Sequence, residues 1–448
     1  MSVCDDLVSF AQKISDECES AFCTKKIITI RITDSEIAEI KENHERSIGV
    51  RIVKDKKISS AQSTVLDFKK LIEETIKNSS NLARREFWGG FAGNSNTVQI
   101  QKTNDPEIWS IDSTKATEIA QIMIDHSKHQ RISRISGSLN IVCDEFEIQN
   151  TAGLKKQEKS TYISGVINVD SEIGVPVSGI GQSSSRTLDG FDSGKIGSDA
   201  AQMCVNSANP DTAEAQTTSV IFEPLAVGEI LYFVLGPNFA LKTFSEKKSC
   251  FPKLGEKIAV DDLNVLDEPH MPDSLGAKSF DDEGVPTKKI HYIKDGVFES
   301  TYTDLYNAYK EKSTTTGNAC RPGIPLGRSS NPIPVSSPHN LTISPGIKSR
   351  DEIIRETKNG ILVSRLWYTY AVNPIKGDFS CTARSGIWQI QNGQITNPIK
   401  PVRIIHSLPK LLQNISGIGN NSKTVLPWAG LPITCPTIKC DGVSISPI

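Results

Sequence analysis

The chain has 448 residues, which suggests two or three domains at roughly 100–200 residues each. Hydrophobic residues make up 37% and charged residues 23% of the chain, a balance that is typical of globular proteins and argues against intrinsic disorder. Fifty basic residues against 52 acidic ones give a net charge of -2, which argues against a surface built to bind nucleic acid or anionic membrane.

The sequence gives little support to a targeting signal or a disulfide framework. Asp5 and Asp6 lie where a secretory signal would carry Lys or Arg, and no run of about 18 apolar residues occurs. The ten cysteines are scattered, so we expect most of them to be reduced and buried. A disulfide within the Cys18/Cys23 or Cys435/Cys440 pair stays open as an alternative. We therefore expect a soluble cytoplasmic protein.

Hydrophobic spacing predicts a mixture of helices and strands in the first half of the chain. Amphipathic helices are predicted by apolar residues at helical spacing, over 2–23, 65–78 and 113–126. Strands are predicted by alternation of apolar and polar residues, over 25–33, 47–60, 131–150 and 160–170. The Gly- and Ser-rich stretch 178–194 predicts an exposed loop that leads into a helix through Cys204.

Turn signals dominate the second half. Asp295-Gly296 and Asn392-Gly393 each separate two short runs and predict β-hairpins over 288–300 and 386–398. Short helices are predicted between the strands, at 223–235, 303–312, 350–358 and 407–415. The patterns predict an α+β fold, with mixed strands and helices in an N-terminal domain (1–105) and a central domain (106–215). A β-rich C-terminal domain of curled antiparallel sheets follows (216–448).

Two clusters of polar side chains could carry chemistry. His126 and His129 lie at the end of a predicted helix, where a spacing of three places both on one face and offers half of a metal site. No acid or cysteine lies at a known ligand spacing from them, so solvated histidines near a helix C-terminus are the simpler interpretation. Asp281, Asp282 and Glu283 form the densest acidic cluster. Consecutive carboxylates point in different directions, which favours a turn cap or a buried polar network over a cation site.

Several strings in the C-terminal half occur together and in a fixed order. They are SFDDEGVPTKKIHYIKDGVFES (279–300), STTTGNACR (313–321), NLTISPG (340–346) and GDFSCTARSGIWQIQNGQI (377–395). Upstream, SIGVRIVKDKKISSAQS (47–63) and FEIQNTAG (146–153) add to the pattern. Together these strings resemble the TldD/TldE family of metallopeptidases, also called PmbA/TldD. The resemblance covers most of the chain and is thinnest over the first 25 residues and over 80–110.

In the TldD branch of that family a helix carries HExxxH, whose histidines bind zinc while its Glu assists the attacking water. The matching segment here is SVIFEPLAVGE (219–229), and we expect it to keep that helix intact. Phe222 and Val227 occupy the two histidine positions and Glu223 the Glu position. Phe and Val offer no lone pair, and Glu223 before Pro224 is explained as a helix start. The family's late Cys ligand, in a CGxxGQ string, does not occur, and Cys435 falls past that point.

The resemblance therefore implies no confident catalytic residue and no metal bound by this chain. It also marks a set of family-motif residues, namely Asp281, Asp282, Glu283, Gly284, Asn340, Gly377, Asp378 and Phe379. Loss of the histidines is similar to the TldE/PmbA branch. That branch implies a non-catalytic subunit that pairs with a TldD-like, zinc-bearing partner in a peptidase for unfolded or leader-type peptides.

On this interpretation the substrate is an extended peptide that adds to strand edges. When the partner is absent, the chain could instead form a homodimer. Two other functions stay open. One is a regulatory or binding protein of the gyrase-modulator type, without a peptidase role. The other is an independent hydrolase that uses His126, His129 or the Asp281 cluster.

Overall fold

The computed structural model describes residues 2–428 and 430–448, and it confirms the α+β class with a β-rich second half. The helices of residues 2–206, here called the N-terminal half, are α1 Val3–Ala11, α2 Phe68–Asn78, α3 Pro106–Ser110, α4 Ser113–Ser127 and α5 Ser193–Asn206. Its strands are β1 Glu17–Thr33, β2 Glu36–Lys54, β3 Lys57–Ser63, β4 Arg134–Asn150, β5 Lys155–Ser171 and β6 Val177–Ser185.

One antiparallel sheet organises the N-terminal half, with strand order β3-β2-β1-β4-β5-β6. Ile28 and Ile30 of β1 lie in a core with α4 and α5, whereas Ala21 and Cys23 pack with Phe280 of the second half. Side chains alternate across a strand, so the helices cover one face of β1 and the second half of the chain covers the other. Strands from both sides of residue 105 share this sheet, and the predicted domain boundaries stay a prediction.

Two predictions for this half are wrong. The helix predicted over 2–23 ends at Ala11, and residues from Glu17 onward belong to β1, where burial on both faces removes the alternation that marks a strand. The loop predicted over 178–194 is partly β6. A Cβ atom at Gly179 would lie 2.0 Å from the carbonyl oxygen of Ala200, so the glycines permit α5 to pack directly on this strand.

Residues 216–448, here called the C-terminal half, contain short helices and many strands. The helices are α6 Pro224–Ile230, α7 Leu241–Ser245, α8 Leu305–Lys310, α9 Arg350–Arg355 and α10 Leu408–Gln413. The strands are β7 Gln216–Phe222, β8 Val265–Asp267, β9 Ile290–Lys294, β10 Val297–Phe298, β11 Ala319–Cys320, β12 Val335–Ser336, β13 Leu341–Ile343, β14 Asn359–Asn373, β15 Asp378–Gln391, β16 Gln394–Pro398, β17 Val402–Ser407, β18 Ile415–Ile418, β19 Lys423–Val425, β20 Ile433–Cys435 and β21 Ile438–Pro447.

Two sheets enclose the core of the C-terminal half. The first has the order β10-β9-β8-β13-β20-β19, and the second has the order β14-β7-β21-β17-β15-β16. Since β14 also pairs with β15, five strands of the second sheet close into a ring. Both predicted hairpins are confirmed, with Asp295-Gly296 and Asn392-Gly393 at positive φ as such tight turns require.

The structure also bears on the cysteines and on membrane spans. All ten cysteines are free, and most of them are buried, as expected. Within residues 2–428 and 430–448, none of the helices has the length and apolar character that crossing a membrane requires.

Candidate functional site

The segment that resembles a zinc helix begins in a strand. Phe222 is the last residue of β7 and pairs with Val363 of β14 and Ile438 of β21. Glu223 is the N-cap residue of α6, and Pro224 fits the first helical position, where no backbone N–H is needed. The expectation that one intact helix carries both histidine positions is therefore wrong. The sheet holds Phe222, while α6 holds Val227.

Phe222 and Val227 both face the hydrophobic core of the C-terminal half. Phe222 is 1% exposed and Val227 is 5% exposed. They line a cavity of about 40 Å³ whose remaining walls are aliphatic side chains and the thiol of Cys440. The Cys435 thiol lies beside the start of α6, donates to the carbonyl of Pro224 at 3.1 Å, and has its pKa raised by burial. These residues do not fit a zinc ion, which needs several lone pairs converging on one point.

The histidine pair does not form a metal half-site either. α4 ends at Ser127, so His126 lies in its last turn and His129 lies beyond the helix, contrary to the expected shared face. Both are exposed, and the Nδ1 atom of His129 accepts a hydrogen bond from the backbone N–H of Arg131 at 3.1 Å. In the part of the chain that the structure describes, no three His, Cys, Asp or Glu side chains converge as metal ligands would.

Glu223 is engaged in a local ion pair. Its Oε1 atom lies 2.6 Å from Nε of Arg350, the first residue of α9, and its Oε2 atom accepts a hydrogen bond from the hydroxyl of Ser364. The three side chains border a cavity of about 440 Å³ between β6, α5 and β19. This arrangement ties the start of α6 to α9.

Glu229, on α6, is a polar residue that the sequence reasoning missed. It is 7% exposed, and its Oε1 atom lies 3.4 Å from the backbone N–H of Trp428. Burial raises the pKa of Glu229 to about 7, with Trp428 and Arg365 lowering it in part. The signal in the sequence was a single acid within the apolar run 224–235. A carboxyl group with this pKa changes charge near neutral pH, and in this chain it lies on α6.

The acidic cluster at residues 281–283 is fully buried where the two halves meet. Asp281 accepts hydrogen bonds from the backbone N–H groups of Glu283 and Val285 at 2.9 Å and of Ala319 at 3.0 Å. Gly284 follows with a φ of +81°, and a Cβ atom there would lie 2.3 Å from Cδ2 of Leu154. The DDEG string is thus a tight turn whose carboxylate caps its own backbone.

Asp282 and Glu283 bind basic side chains from distant parts of the chain. Asp282 lies 2.9 Å from Nζ of Lys278 and 2.7 Å from Nε of Arg328. Glu283 lies 2.7 Å from Nη1 of Arg51 on β2. Burial alone would raise the pKa of Asp282, but Lys278 and Arg328 hold it below its ordinary value. Each carboxylate therefore faces cations rather than an open cation site.

The same contacts continue into the N-terminal sheet. Glu19 of β1 accepts hydrogen bonds from Arg51 at 2.9 Å and from Arg321, and Glu158 of β5 contacts Arg328. We call this set the interface ion network, and its members are Glu19, Arg51, Glu158, Lys278, Asp282, Glu283, Arg321 and Arg328. It joins strands of the N-terminal sheet to loops of the C-terminal half.

The remaining motif residues are Asn340, Gly377, Asp378 and Phe379. Asn340 is fully buried, and its backbone N–H donates to Asp267 at 2.8 Å. Gly377 has a φ of +75°, and a Cβ atom there would lie 2.7 Å from Cδ of Pro409. Asp378 begins β15, and Phe379 belongs to the same core as Phe222 and Val227. These residues hold turns and packing, and they do not converge on one catalytic point.

Comparison with known proteins gives this geometry a family. The model of the PmbA/TldA metallopeptidase C-terminal domain matches residues 215–447, and that of PmbA/TldA metallopeptidase domain 1 matches residues 21–83. An uncharacterized protein of Methanocaldococcus jannaschii is 24% identical over 413 residues, or 88% of this chain and 90% of that one. Metalloprotease PmbA of Escherichia coli O157:H7 is 27% identical over 229 residues, which span 51% of this chain and about half (47%) of PmbA. The fold of TldE from Thermococcus kodakarensis matches with a TM-score of 0.90 at 24% identity, over 99% of this chain and 100% of that one.

Proposed function

The chain belongs to the PmbA/TldD metallopeptidase family, and we propose that it is the non-catalytic, TldE/PmbA-type subunit of a cytoplasmic zinc peptidase. The partner is a TldD-like chain that carries HExxxH and the zinc ion, and the pair cleaves unfolded or leader-type peptides. One observation carries the proposal: Phe222 and Val227 stand at the ligand positions and lie inside an apolar core. A zinc-bound water, which such a peptidase uses as nucleophile, has no ligand set at this position.

The role of this subunit in the pair is to complete a chamber for extended peptides. β6 and β19 are edge strands, and the cavity of about 440 Å³ lies between them. An edge strand offers unpaired N–H and C=O groups to which an extended peptide adds as a further strand. We propose that substrate is held along the edges of β6 and β19 while the zinc of the partner performs the hydrolysis.

The test is to purify this chain alone, the TldD-like chain of the same genome alone, and the two together. We expect the pair, or the zinc-bearing chain by itself, to cleave an unfolded protein substrate, and we expect no cleavage by this chain alone. We also expect this chain alone to retain no stoichiometric zinc. A control pair, in which the Glu of the partner's HExxxH is replaced by Gln, should lose cleavage although this chain is intact.

Three outcomes would redirect the proposal. Cleavage by the isolated chain at the rate of the pair would contradict it. One tightly held zinc per isolated chain would favour an independent hydrolase. Recovery of a topoisomerase from native lysate, without a TldD-like chain, would favour a regulatory protein of the gyrase-modulator type.

A further inference from the structure

Two arginines on neighbouring strands of the ring lie side by side because of a β-bulge. Arg365 of β14 pairs with Ser385 of β15, and the next residue, Leu366, pairs with Ala383, so Arg384 has no partner on β14. At such a bulge two residues of one strand lie opposite a single residue of the other. The backbone therefore brings Arg384 next to Arg365.

Both guanidinium groups contact the same indole ring. Cζ of Arg365 lies 4.9 Å and Cζ of Arg384 lies 5.1 Å from the centroid of the Trp367 ring. Cation–π contacts orient the two groups, but an indole carries no net charge and leaves both positive charges in place. Both cations thus lie against one apolar ring.

Neither cation has a carboxylate partner. Among residues 2–428 and 430–448, no Asp or Glu oxygen lies within 4.0 Å of the guanidinium nitrogens of Arg365 or Arg384. Asp170 contacts Arg134 instead, at 3.7 Å. Arg365 is held by a neutral acceptor, the Oδ1 atom of Asn168, at 2.9 Å. Burial and the neighbouring Arg384 lower the pKa of Arg365 to about 10, although the carboxylates of Glu229 and Asp170, which do not contact it, raise this pKa in part.

This arginine pair lies at the boundary between the two halves. Asn168 belongs to β5, and the hydroxyl of Ser385 lies 2.6 Å from that of Ser178 on β6. Arg384 is exposed, so an anion can reach it from solvent.

We propose that Arg365 and Arg384 form a binding site for a carboxylate of a peptide ligand. The N–H groups of a guanidinium match the two oxygens of a carboxylate. A bound carboxylate would bring a negative charge into contact with Arg365 and Arg384, which the fold itself does not do. The carboxylate comes from the C-terminus of the peptide or from an Asp or Glu side chain, since both present the same group. This inference rests on the proposed function, because it names the group of a peptide ligand that the subunit binds.

Three N-acetylated probe peptides test the inference on the full chain by titration calorimetry. They are pentaalanine with a free C-terminal carboxylate, its C-terminal amide, and the amide with Glu at the central position. We expect one or both acidic probes to bind at least about tenfold more tightly than the neutral amide. A preference for the first probe identifies a peptide C-terminus, and a preference for the third identifies an acidic side chain.

Variants locate the site. Arg384→Gln, at an exposed position, should abolish the preference, and Arg365→Gln should do the same. Arg355→Gln, an exposed arginine on α9, should keep it. Circular dichroism verifies that each variant is folded. The inference is overturned if the neutral amide binds as tightly as the acidic probes, if no probe binds, or if Arg384→Gln retains the preference.

The same variants separate this inference from the proposed function. If the chain pairs with a TldD-like partner and supports zinc-dependent cleavage while Arg384→Gln retains the preference, the carboxylate site is wrong and the subunit role stands. If wild-type chain prefers the acidic probes but forms no active pair, the subunit role is wrong and the carboxylate site stands.

Discussion

The pocket around Phe222 and Val227 and the interface ion network both carry strings of the family signature, yet their chemistry is opposite. The first is lined by aliphatic and aromatic side chains, whereas the second buries paired acids and bases. Apolar packing tolerates changes that preserve volume, while a buried ion pair fails when either partner is removed. The acidic motif residues hold the two halves together. The positions that match the zinc-binding histidines, by contrast, are packed inside a hydrophobic core.

Arg328→Met is the change with the largest expected effect. It keeps an apolar stem but leaves Asp282 and Glu158 without the guanidinium that they share. We expect the free energy of unfolding to fall by about 3–5 kcal/mol, measured by urea titration, because the largely buried Glu158 loses its cation and Asp282 keeps only Lys278. A loss below about 1 kcal/mol would mean that the network contributes little, and the contrast between the two regions would disappear.

Phe222→His combined with Val227→His tests the apolar region. We expect a loss of about 2–4 kcal/mol, since two imidazoles would be buried without hydrogen-bond partners. Zinc should not be retained after dialysis, because two histidines lack a third protein ligand and its supporting contacts. Phe222→Leu with Val227→Leu is the apolar control and should bind no zinc while losing less stability. One zinc per chain in the histidine variant, measured by mass spectrometry, would contradict this prediction, because two restored histidines would then be enough to retain zinc.

Glu229→Gln should change how stability depends on pH. The folded-state pKa of about 7 lies above the ordinary value of 4.5, so ionisation of Glu229 costs stability as pH rises from about 4.5 through 7. Wild type should therefore lose up to about 3 kcal/mol relative to Glu229→Gln over that interval, with no difference in trend below it. Urea titrations at a series of pH values check this. Glu74→Gln, an exposed position on α2, should run parallel to wild type, and a parallel curve for Glu229→Gln would contradict the prediction.

Lys195→Ala has the smallest expected effect. Lys195 pairs with Asp199 at 2.8 Å on the exposed surface of α5, four residues away. Such pairs contribute about 0.3–0.5 kcal/mol, and less at high salt. Urea titrations at low and high salt check this. A loss comparable to that of Arg328→Met would show that burial does not decide the value of an ion pair in this protein.

Local signals in the sequence predicted much of the fold. Asp295-Gly296 and Asn392-Gly393 are two-residue signals that favour the positive φ angles of a tight hairpin turn. The buried residues of α4 lie at helical spacing within one continuous segment, so the segment alone predicts the helix. β6 was missed because Gly179 and Gly181, read as loop residues, are required where α5 packs onto the strand. Composition alone could not separate a flexible turn from close backbone packing.

Features that depend on distant pairs could not be predicted. Glu223 and Arg350 are 127 residues apart, and Glu19 and Arg321 are 302 residues apart. No periodicity within one segment reports such contacts. The densest acidic cluster was visible at residues 281–283, but the cations that bind it lie on β2 (Arg51) and in two loops (Lys278 and Arg328). For the same reason Arg384 gave no signal, since its role depends on a bulge in the pairing of two strands.

The span of the interface ion network has a consequence for synthesis of the chain. Glu19 and Arg51 can meet as soon as the first hairpin leaves the ribosome, but Arg321 follows about 300 residues after Glu19. At roughly 5–20 residues per second that interval is about 15–60 s. During this time one face of the N-terminal sheet carries Glu19 and Arg51, and later Glu158, without Arg321 and Arg328. Charged groups on that face reduce the continuous apolar surface that the N-terminal sheet exposes before the C-terminal half covers it.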